Sequence, residues 1–203
     1  MTSEPQPLKL PPSTPGRGHA VEQLLAHRRS RREFAGGSLE LAEIARLLWA
    51  AQGISDPHGL RTAPSAGALY PLEVHLATGR TNGLDPGVYH YLPHEHALAQ
   101  TATGDHRVQL ANAALGQEAV AHAGAVIVLT GIYRRTTIKY GDRGVRYVHM
   151  EVGHAAQNVY LVGESLGIGT VMVGAFDDEH VKRVIPMGAD ESPLALLPLG
   201  RFR

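Results

Sequence analysis

Four arginines and a serine stand together near the start of the chain, in the run Arg28-Arg29-Ser30-Arg31-Arg32. A phosphate monoester is bound by several donors that converge from fixed directions, and guanidinium groups with a hydroxyl supply such donors. Phe34 follows and can anchor the run to an apolar core. The residue types alone leave two interpretations equally open, a phosphate site and a solvated basic face.

A loop of small residues, Pro64-Ser65-Ala66-Gly67-Ala68-Leu69-Tyr70-Pro71, precedes a predicted strand. Small side chains leave the backbone bare, so its N–H and C=O groups can hydrogen-bond a flat polar ring. An ordinary connection into a strand has a similar composition, and by itself the loop is a weak signal.

The pair Lys139-Tyr140 lies in a polar segment with Asp142, Arg143 and Arg146 close by. A positioned lysine or tyrosine can take a proton from a substrate during catalysis. A surface turn whose charges face solvent has the same kind of sequence. Without other information the residues favour the surface turn.

The glycine-rich segment Gly167-Ile168-Gly169-Thr170, followed by Val173-Gly174, resembles a phosphate-binding loop only superficially. It follows a predicted helix and lacks the Rossmann and P-loop spacings, so we reject a nucleotide fingerprint. We predict instead that the backbone here passes close to a neighbour such as a helix. We also predict no metal site, because His90, His94 and His96 are irregularly spaced and metal ligation needs three or four converging ligands.

The composition excludes several classes of function. The chain has no cysteine, which rules out disulfides, iron–sulfur clusters, thiolate zinc sites and cysteine nucleophiles. Its formal net charge is zero, so we expect neither a nucleic-acid nor a membrane partner. No apolar run has the length of a membrane-spanning helix or a signal-peptide core, and we expect a cytoplasmic protein.

The periodicity of apolar residues predicts one folded domain over 19–203. Residues 1–18 contain five prolines and are predicted to be a flexible tail. Ser38 is the predicted N-cap of the second helix and Gly53 its end. The predicted helices are about 19–27, 38–53, 105–115, 145–166 and 177–185, and the predicted strands about 72–78, 88–92, 97–101, 125–130, 169–175 and 194–200.

These elements mix helices and strands without a strict βαβ alternation, which favours an α+β fold. The helix predicted at 145–166 is the longest, and its apolar positions cover more than one stripe, as in a buried helix. Gly153, Ala155, Ala156 and Gly163 would let another helix approach it closely.

The motifs occur in an order that resembles the nitroreductase-like flavoprotein family. Arg28-Arg29-Ser30-x-Arg32-x-Phe34 is similar to the first FMN-phosphate motif of that family. Later segments resemble its branch of SagB-type or azoline dehydrogenases, and together they extend the resemblance over about 20–201. These segments are Pro64–Glu73, Lys139–Tyr147, Glu151–Asn158, Leu166–Thr170 and Pro198–Arg201.

The resemblance implies an α+β sandwich, with a central, mainly antiparallel sheet flanked by helices, assembled as a homodimer with FMN at the interface. Many relatives have a C-terminal extension that wraps around the partner. Two residues follow Arg201 here, so we expect any exchange of C-terminal arms to be short.

The resemblance also assigns cofactor-binding residues. Arg31 falls at a variable position of the motif and is expected to face water. Val173 and Gly174 would pass near the N5 edge of the flavin. The phosphate and ribityl groups would be held by Arg28, Arg29, Ser30, Arg32 and Arg201, and the flavin ring would be bordered, from the partner subunit, by Ser65, Ala66, Gly67 and Leu69.

The implied activity is a dehydrogenation in which a hydride passes from an azoline, in a small molecule or a peptide, to flavin N5. Lys139 and Tyr140 are the implied catalytic pair, which removes the accompanying proton. One alternative is a nitroreductase or flavin reductase that uses NAD(P)H. An alternative of another class is a flavin-binding carrier or sensor without turnover.

Overall fold

The computed structural model describes residues 20–202, and the predicted tail lies outside them. The helices are α1 (Ala20–His27), α2 (Leu41–Gln52), α3 (Arg107–Ala113), α4 (Glu118–His122), α5 (Tyr133–Tyr140), α6 (Arg143–Leu166) and α7 (Asp178–Val184). The strands are β1 (Leu39–Glu40), β2 (Leu72–Thr78), β3 (Thr81–Asn82), β4 (Gly87–Leu92), β5 (Ala97–Thr103), β6 (Ala125–Gly131), β7 (Ile168–Thr170) and β8 (Ser192–Arg201).

In the described part of the chain, six strands form one sheet in the order β5-β4-β2-β6-β8-β7. Every pair of neighbours in this sheet is antiparallel, and β1 and β3 form a separate parallel pair. The predicted α+β class with a mainly antiparallel sheet is therefore confirmed. No helix within 20–202 has the length and apolar character needed to span a membrane.

Strand β6 shows how the sheet is covered on both faces. All of its residues are buried, and successive side chains point to opposite faces. Ile127 and Leu129 belong to a core that includes α2 and α6, whereas Val126 and Val128 belong to a second core that includes α3, α4 and α7. The sheet therefore lies between two layers of helices.

The prediction of a long helix at about 145–166 is confirmed by α6, which packs against the sheet. Ala155 and Ala156 are buried in the same core as Leu47 and Leu48 of α2, which confirms the predicted approach of a second helix. The helix ends at Gly167, whose φ of 68° is left-handed and favours glycine.

Three local predictions were wrong. Glu40, not Ser38, is the N-cap of α2, and it forms a capping box with Glu43. Strand β7 covers Ile168–Thr170 and ends five residues before the end of the predicted strand 169–175. The pair Lys139-Tyr140 ends helix α5 instead of lying in a turn.

A buried ion pair joins the middle of the sheet to the loop before β8. The His75 Nε2 atom lies 2.8 Å from the Glu191 carboxylate. The Thr130 hydroxyl and the Gly188 N–H also donate to this carboxylate. Burial raises the pKa of Glu191, but the three donors outweigh that effect and lower the pKa to about 2.

The Glu191 carboxylate should make stability depend on pH in acid. Its pKa of about 2 in the folded protein lies below the ordinary glutamate value of 4.5, so its contribution is present above pH 4.5 and is lost as pH falls towards 2. We expect the wild type to lose up to about 3 kcal/mol of unfolding free energy more than Glu191→Gln across this window. Urea titrations between about pH 6 and pH 3 measure the difference, and parallel losses in the two proteins would contradict it.

Candidate functional site

The basic run follows α1, has no regular secondary structure and is hydrogen-bonded to the edge of the sheet. The Arg31 N–H donates to the Thr170 carbonyl (2.9 Å), and the Ala35 N–H donates to the Arg201 carbonyl (2.8 Å). Phe34 packs on Gly200, where a Cβ atom would collide with its ring. The predicted anchoring role of Phe34 is therefore confirmed.

Arg31 does not face water as expected. Its Nη2 atom lies 3.2 Å from Glu164 of α6, and its guanidinium lies 3.6 Å from the centre of the Phe202 ring. Its stem packs on Gly169, where a Cβ atom would lie 2.9 Å from the Arg31 side chain. Glycine is therefore required at position 169 because the Arg31 side chain packs on it. The predicted close neighbour is thus an arginine and not a helix.

The other three arginines of the run carry charges that no described carboxylate neutralises. Arg28 lies over the Tyr160 ring at 5.2 Å, and Arg29 donates only to backbone carbonyls. Arg32 makes neither a hydrogen bond nor an ion pair within 20–202. A cavity of about 730 Å³ adjoins the run and is lined by Ser30, Arg31, Arg32, Glu33, Phe34, Ala35 and Phe202. Of the three unneutralised arginines, Arg32 lines this cavity and is suited to hold an anion there.

Tyr160 of α6 joins two of the predicted segments, a role that no motif in the sequence indicated. Its hydroxyl accepts from the Met172 N–H (2.8 Å) and lies 3.1 Å from Ser30 Oγ. The Tyr160 side chain therefore holds both Ser30 and the segment that leads to Val173-Gly174.

Within that segment Val173 and Gly174 differ. The Val173 N–H and carbonyl both bond to Leu196, and the Val173 side chain is buried. Gly174 makes no hydrogen bond with the described residues, and a Cβ atom there would meet nothing within 4 Å. A ligand could thus reach a backbone N–H at Gly174 but not at Val173.

Arg201 lies beside the run but already has a partner. Its Nη2 atom is 2.7 Å from Glu43, which also caps α2, and its Nη1 atom donates to the Leu166 carbonyl. The structure therefore places this predicted phosphate ligand near Ala35 with its charge compensated.

The small-residue loop is strained. A short 3₁₀ turn covers Ala66–Ala68, and the φ angles of Gly67, Ala68 and Tyr70 are 64°, 54° and 44°. Left-handed conformations of non-glycine residues are costly and are concentrated at functional sites. The Tyr70 N–H donates to Ser65 Oγ at 2.9 Å, which closes the loop on itself.

Lys139 and Tyr140 lie against this loop, although they are far from it in sequence. A Cβ atom on Gly67 would lie 2.7 Å from Tyr140 Oη and 2.9 Å from Lys139 Nζ. The structure therefore brings the predicted catalytic pair to the predicted flavin-bordering loop. Leu69 lines an adjoining cavity of about 420 Å³ together with Tyr70, Glu73, His90 and Arg135.

A buried carboxyl supports the loop from α6, and sequence reasoning did not identify it as a site residue. Glu151 is 2% exposed, and Gln52 Nε2 donates to it at 3.4 Å. Burial raises the pKa of Glu151 to about 7, against the opposing effects of hydrogen bonds from Ser65 and Gln52 and of the Arg61 charge. A carboxyl with this pKa exchanges protons near neutral pH.

The predicted residues thus form two clusters. The phosphate cluster comprises Arg28, Arg29, Ser30, Arg32, Tyr160 and Gly174. The loop cluster comprises Ser65, Ala66, Gly67, Leu69, Lys139, Tyr140 and Glu151. Helix α6 contributes Tyr160 to the first and Glu151 to the second, about 13 Å apart along its axis.

The histidines do not form a metal centre in the described residues. No group of three or more histidines, cysteines and carboxylates within 20–202 could hold a metal ion. His90 bonds to Glu73, and His96 bonds to Tyr91.

The described residues thus form an antiparallel sheet between two helical layers, with two polar clusters along one buried helix. The chain belongs to the nitroreductase family. The model described as "Nitroreductase family" matches residues 25–201, and members of this family of oxidoreductases generally use a flavin.

Two curated relatives span most of the chain. A Methanocaldococcus jannaschii protein assigned to the nitroreductases, MJ1384, is 46% identical over 89% of this chain and 90% of its own length. The microcin B17-processing protein McbC of Escherichia coli is 30% identical over 90% of this chain and 71% of its own length.

Solved structures share the fold. A protein from Anabaena variabilis assigned to the nitroreductases has a TM-score of 0.80 at 32% identity; the match covers 90% of this chain and 38% of that one. This chain therefore spans well under half of the Anabaena protein. A chain in the E. coli McbBCD microcin synthetase complex has a TM-score of 0.75 at 25% identity, and the match covers 100% of this chain and 78% of that one.

Arg31 and Arg32 provide a matched pair of substitutions. Arg31→Ala should lower the unfolding free energy by about 2 kcal/mol, because it leaves Glu164 partly buried without its cation. Arg32→Ala should change that free energy by less than about 0.5 kcal/mol, since its side chain has no described partner. Urea titrations of the ligand-free variants at neutral pH measure both, and equal losses would contradict the assignment.

Proposed function

We propose that this protein is an FMN-dependent dehydrogenase of the SagB type, which oxidises an azoline ring in a small molecule or a peptide. The main support for the proposal is the contact of Gly67 with Lys139 and Tyr140. This contact brings two residues that could accept a proton to a strained loop of small residues. The similarity to McbC, which is named for processing microcin B17, supports the azoline branch.

The residues of the phosphate cluster fit an FMN phosphate. Arg28, Arg29 and Arg32 supply unneutralised guanidinium groups, and Ser30 supplies a hydroxyl that Tyr160 orients. Gly174 supplies a free backbone N–H. Arg31 lines the cavity but adds no net charge to it, because Glu164 neutralises its guanidinium. When bound, FMN supplies a two-electron acceptor.

The protein is proposed to act as a homodimer in which each FMN contacts both subunits. In the proposed dimer, the loop cluster of one copy lies beside the phosphate cluster of the other. Helix α1 buries none of its residues and exposes Val21 and Leu25, and α6 exposes Val145 and Met150. Helix α1 contacts α6 within the subunit, and a partner subunit that covers its exposed apolar side chains would stabilise this short helix further.

The loop cluster has a defined task in this reaction. Oxidation of an azoline removes a hydride from one ring carbon and a proton from its neighbour, and a double bond forms between them. We assign the acceptance of that proton to Lys139, whose Nζ atom lies 5.4 Å from the centre of the Tyr140 ring. Tyr140 in turn packs edge-to-face on Tyr147, which holds its hydroxyl at Gly67.

The cofactor and the assembly can be tested together. The purified protein should be yellow, should release FMN on denaturation, and should have the mass of a dimer in sedimentation equilibrium. Arg32→Ala should weaken FMN binding at least tenfold, because it removes one charge-assisted contact to the phosphate. A colourless protein that also fails to bind added FMN would overturn the proposal.

An NAD(P)H-dependent nitroreductase is the second candidate, and the relative MJ1384 favours it. The two activities make different demands on Lys139. Azoline oxidation should fall at least a hundredfold in Lys139→Ala, since removal of a general base costs about that much or more. Reduction of a nitroaromatic by NAD(P)H should change little, since it does not need this base.

Steady-state assays with an azoline peptide and with NADH or NADPH plus a nitroaromatic separate the candidates. Lys182→Ala, on the surface of α7, is the matched control and should leave both rates unchanged. Full azoline oxidation in Lys139→Ala would eliminate the proposed role, and bleaching of the flavin by NAD(P)H alone would favour the reductase.

A further inference from the structure

Arg61 is a partly buried cation that forms no ion pair with any carboxylate within 20–202. Its Nη1 atom donates to the neutral Gln52 Oε1 at 2.8 Å, and its guanidinium lies 4.7 Å from the centre of the Tyr70 ring. Burial lowers the pKa of Arg61, against the opposing effects of the Glu73 and Glu151 charges. Because a partly desolvated charge is costly without a close counter-charge, this arginine is suited to hold an anionic ligand.

Arg61 lines the cavity of about 420 Å³ that adjoins the loop cluster. This volume lies within the range of small-molecule sites, about 300–1,000 Å³. The lining also includes three apolar residues, Leu69, Leu92 and Pro93. Apolar residues beside a fixed cation suit an organic molecule that carries a negative charge.

The Tyr70 hydroxyl is a second donor in the same cavity. Its oxygen accepts from the Arg61 backbone N–H at 3.2 Å, so its own proton is directed elsewhere, and no described acceptor takes that proton. The Tyr70 backbone is held in place, because its N–H donates to Ser65 Oγ and its carbonyl accepts from Arg135. A guanidinium and a hydroxyl fixed side by side are donors that bind a carboxylate.

The other charges of the cavity compensate one another or face water. Glu73 forms ion pairs with Arg135 at 2.5 Å and with His90 at 2.9 Å. The hydrogen bond from Glu73 raises the pKa of His90, which favours the cationic form of this histidine. His94 and Glu95 are exposed in the turn between β4 and β5, where water and salt screen their charges. One uncompensated positive charge therefore remains inside the cavity.

We propose that this cavity is a subsite for a carboxylate of the ligand, held by the Arg61 guanidinium and the Tyr70 hydroxyl. A carboxylate matches the single uncompensated charge, whereas a phosphate dianion would place excess negative charge beside Glu73. The subsite shares no residue with the phosphate cluster. If the enzyme oxidises azolines, its substrate carries a free carboxylate; this consequence rests on the proposed function, whereas the carboxylate site does not.

Two compounds that differ in charge test the subsite. Isothermal titration calorimetry of the full chain as purified compares thiazole-4-carboxylate with thiazole-4-carboxamide, which need no turnover. The carboxylate should bind at least about tenfold more tightly, because it accepts charge-assisted hydrogen bonds. The pair para-nitrobenzoate and para-nitrobenzamide makes the same comparison for a reductase, so the result does not depend on which activity the enzyme has.

Three variants connect this preference to its residues. In Arg61→Gln the affinity for the carboxylate should fall to within about twofold of that for the carboxamide, and unchanged carboxamide binding shows that the variant is folded. Tyr70→Phe removes one hydroxyl and should reduce the preference about threefold, a result that decides the matter if Arg61→Gln does not fold. Arg46→Gln removes the same charge from an exposed position of α2 and should leave both affinities unchanged.

A further compound locates the carboxylate on the ligand. In thiazole-4-carbonylglycine the carboxylate ends a short peptide chain instead of lying on the ring. Tighter binding of the ring carboxylate indicates a small-molecule acid, tighter binding of the glycine compound indicates the end of a peptide, and both results support the subsite. The proposal is overturned if no carboxylate binds, if carboxylate and carboxamide bind equally in both pairs, or if the preference persists in Arg61→Gln.

Discussion

Helix α6 has to bury an apolar side against the sheet while it carries polar groups that need partners, and the arrangement of the site follows from that constraint. Buried polar groups are costly unless they are hydrogen-bonded. Glu151, Tyr160 and Glu164 meet this requirement with groups from four other segments. The partners are Gln52 and Ser65 for Glu151, Ser30 and Met172 for Tyr160, and Arg31 for Glu164. The helix thereby fixes the chain segments that a ligand would contact.

In the basic run, one ion pair separates the role of Arg31 from the roles of the neighbouring arginines. Arg31 is neutralised by Glu164 and stacked on Phe202, so it is a structural residue. Its N–H holds the backbone between α1 and β1 against β7, while Arg28 and Arg32 have no ion pair with a described carboxylate. Four arginines in one run therefore divide into one that holds the run in place and three that remain available to an anion.

The loop cluster combines strain with support. Ala68 and Tyr70 have left-handed φ angles, which persist only where the surroundings impose them. Tyr70 is held through its backbone N–H, its hydroxyl and its ring, and the Arg135 guanidinium also donates to its carbonyl. A backbone under such constraint presents Gly67 at a fixed place to Lys139 and Tyr140. A loop cluster built on constrained backbone is consistent with membership of the nitroreductase family.

The sequence by itself determined the α+β class, the positions of most helices and strands, and the motifs of the family, because periodicity and local motifs are properties of neighbouring residues. It did not show that Arg31 is paired with Glu164 or that Ser30 bonds to Tyr160, since these contacts link residues 133 and 130 positions apart. The burial of Glu151, with its raised pKa, was equally hidden in the motif Glu151–Asn158. Only the tertiary structure decides such features, because desolvation and the direction of a hydrogen bond depend on which distant groups are packed together.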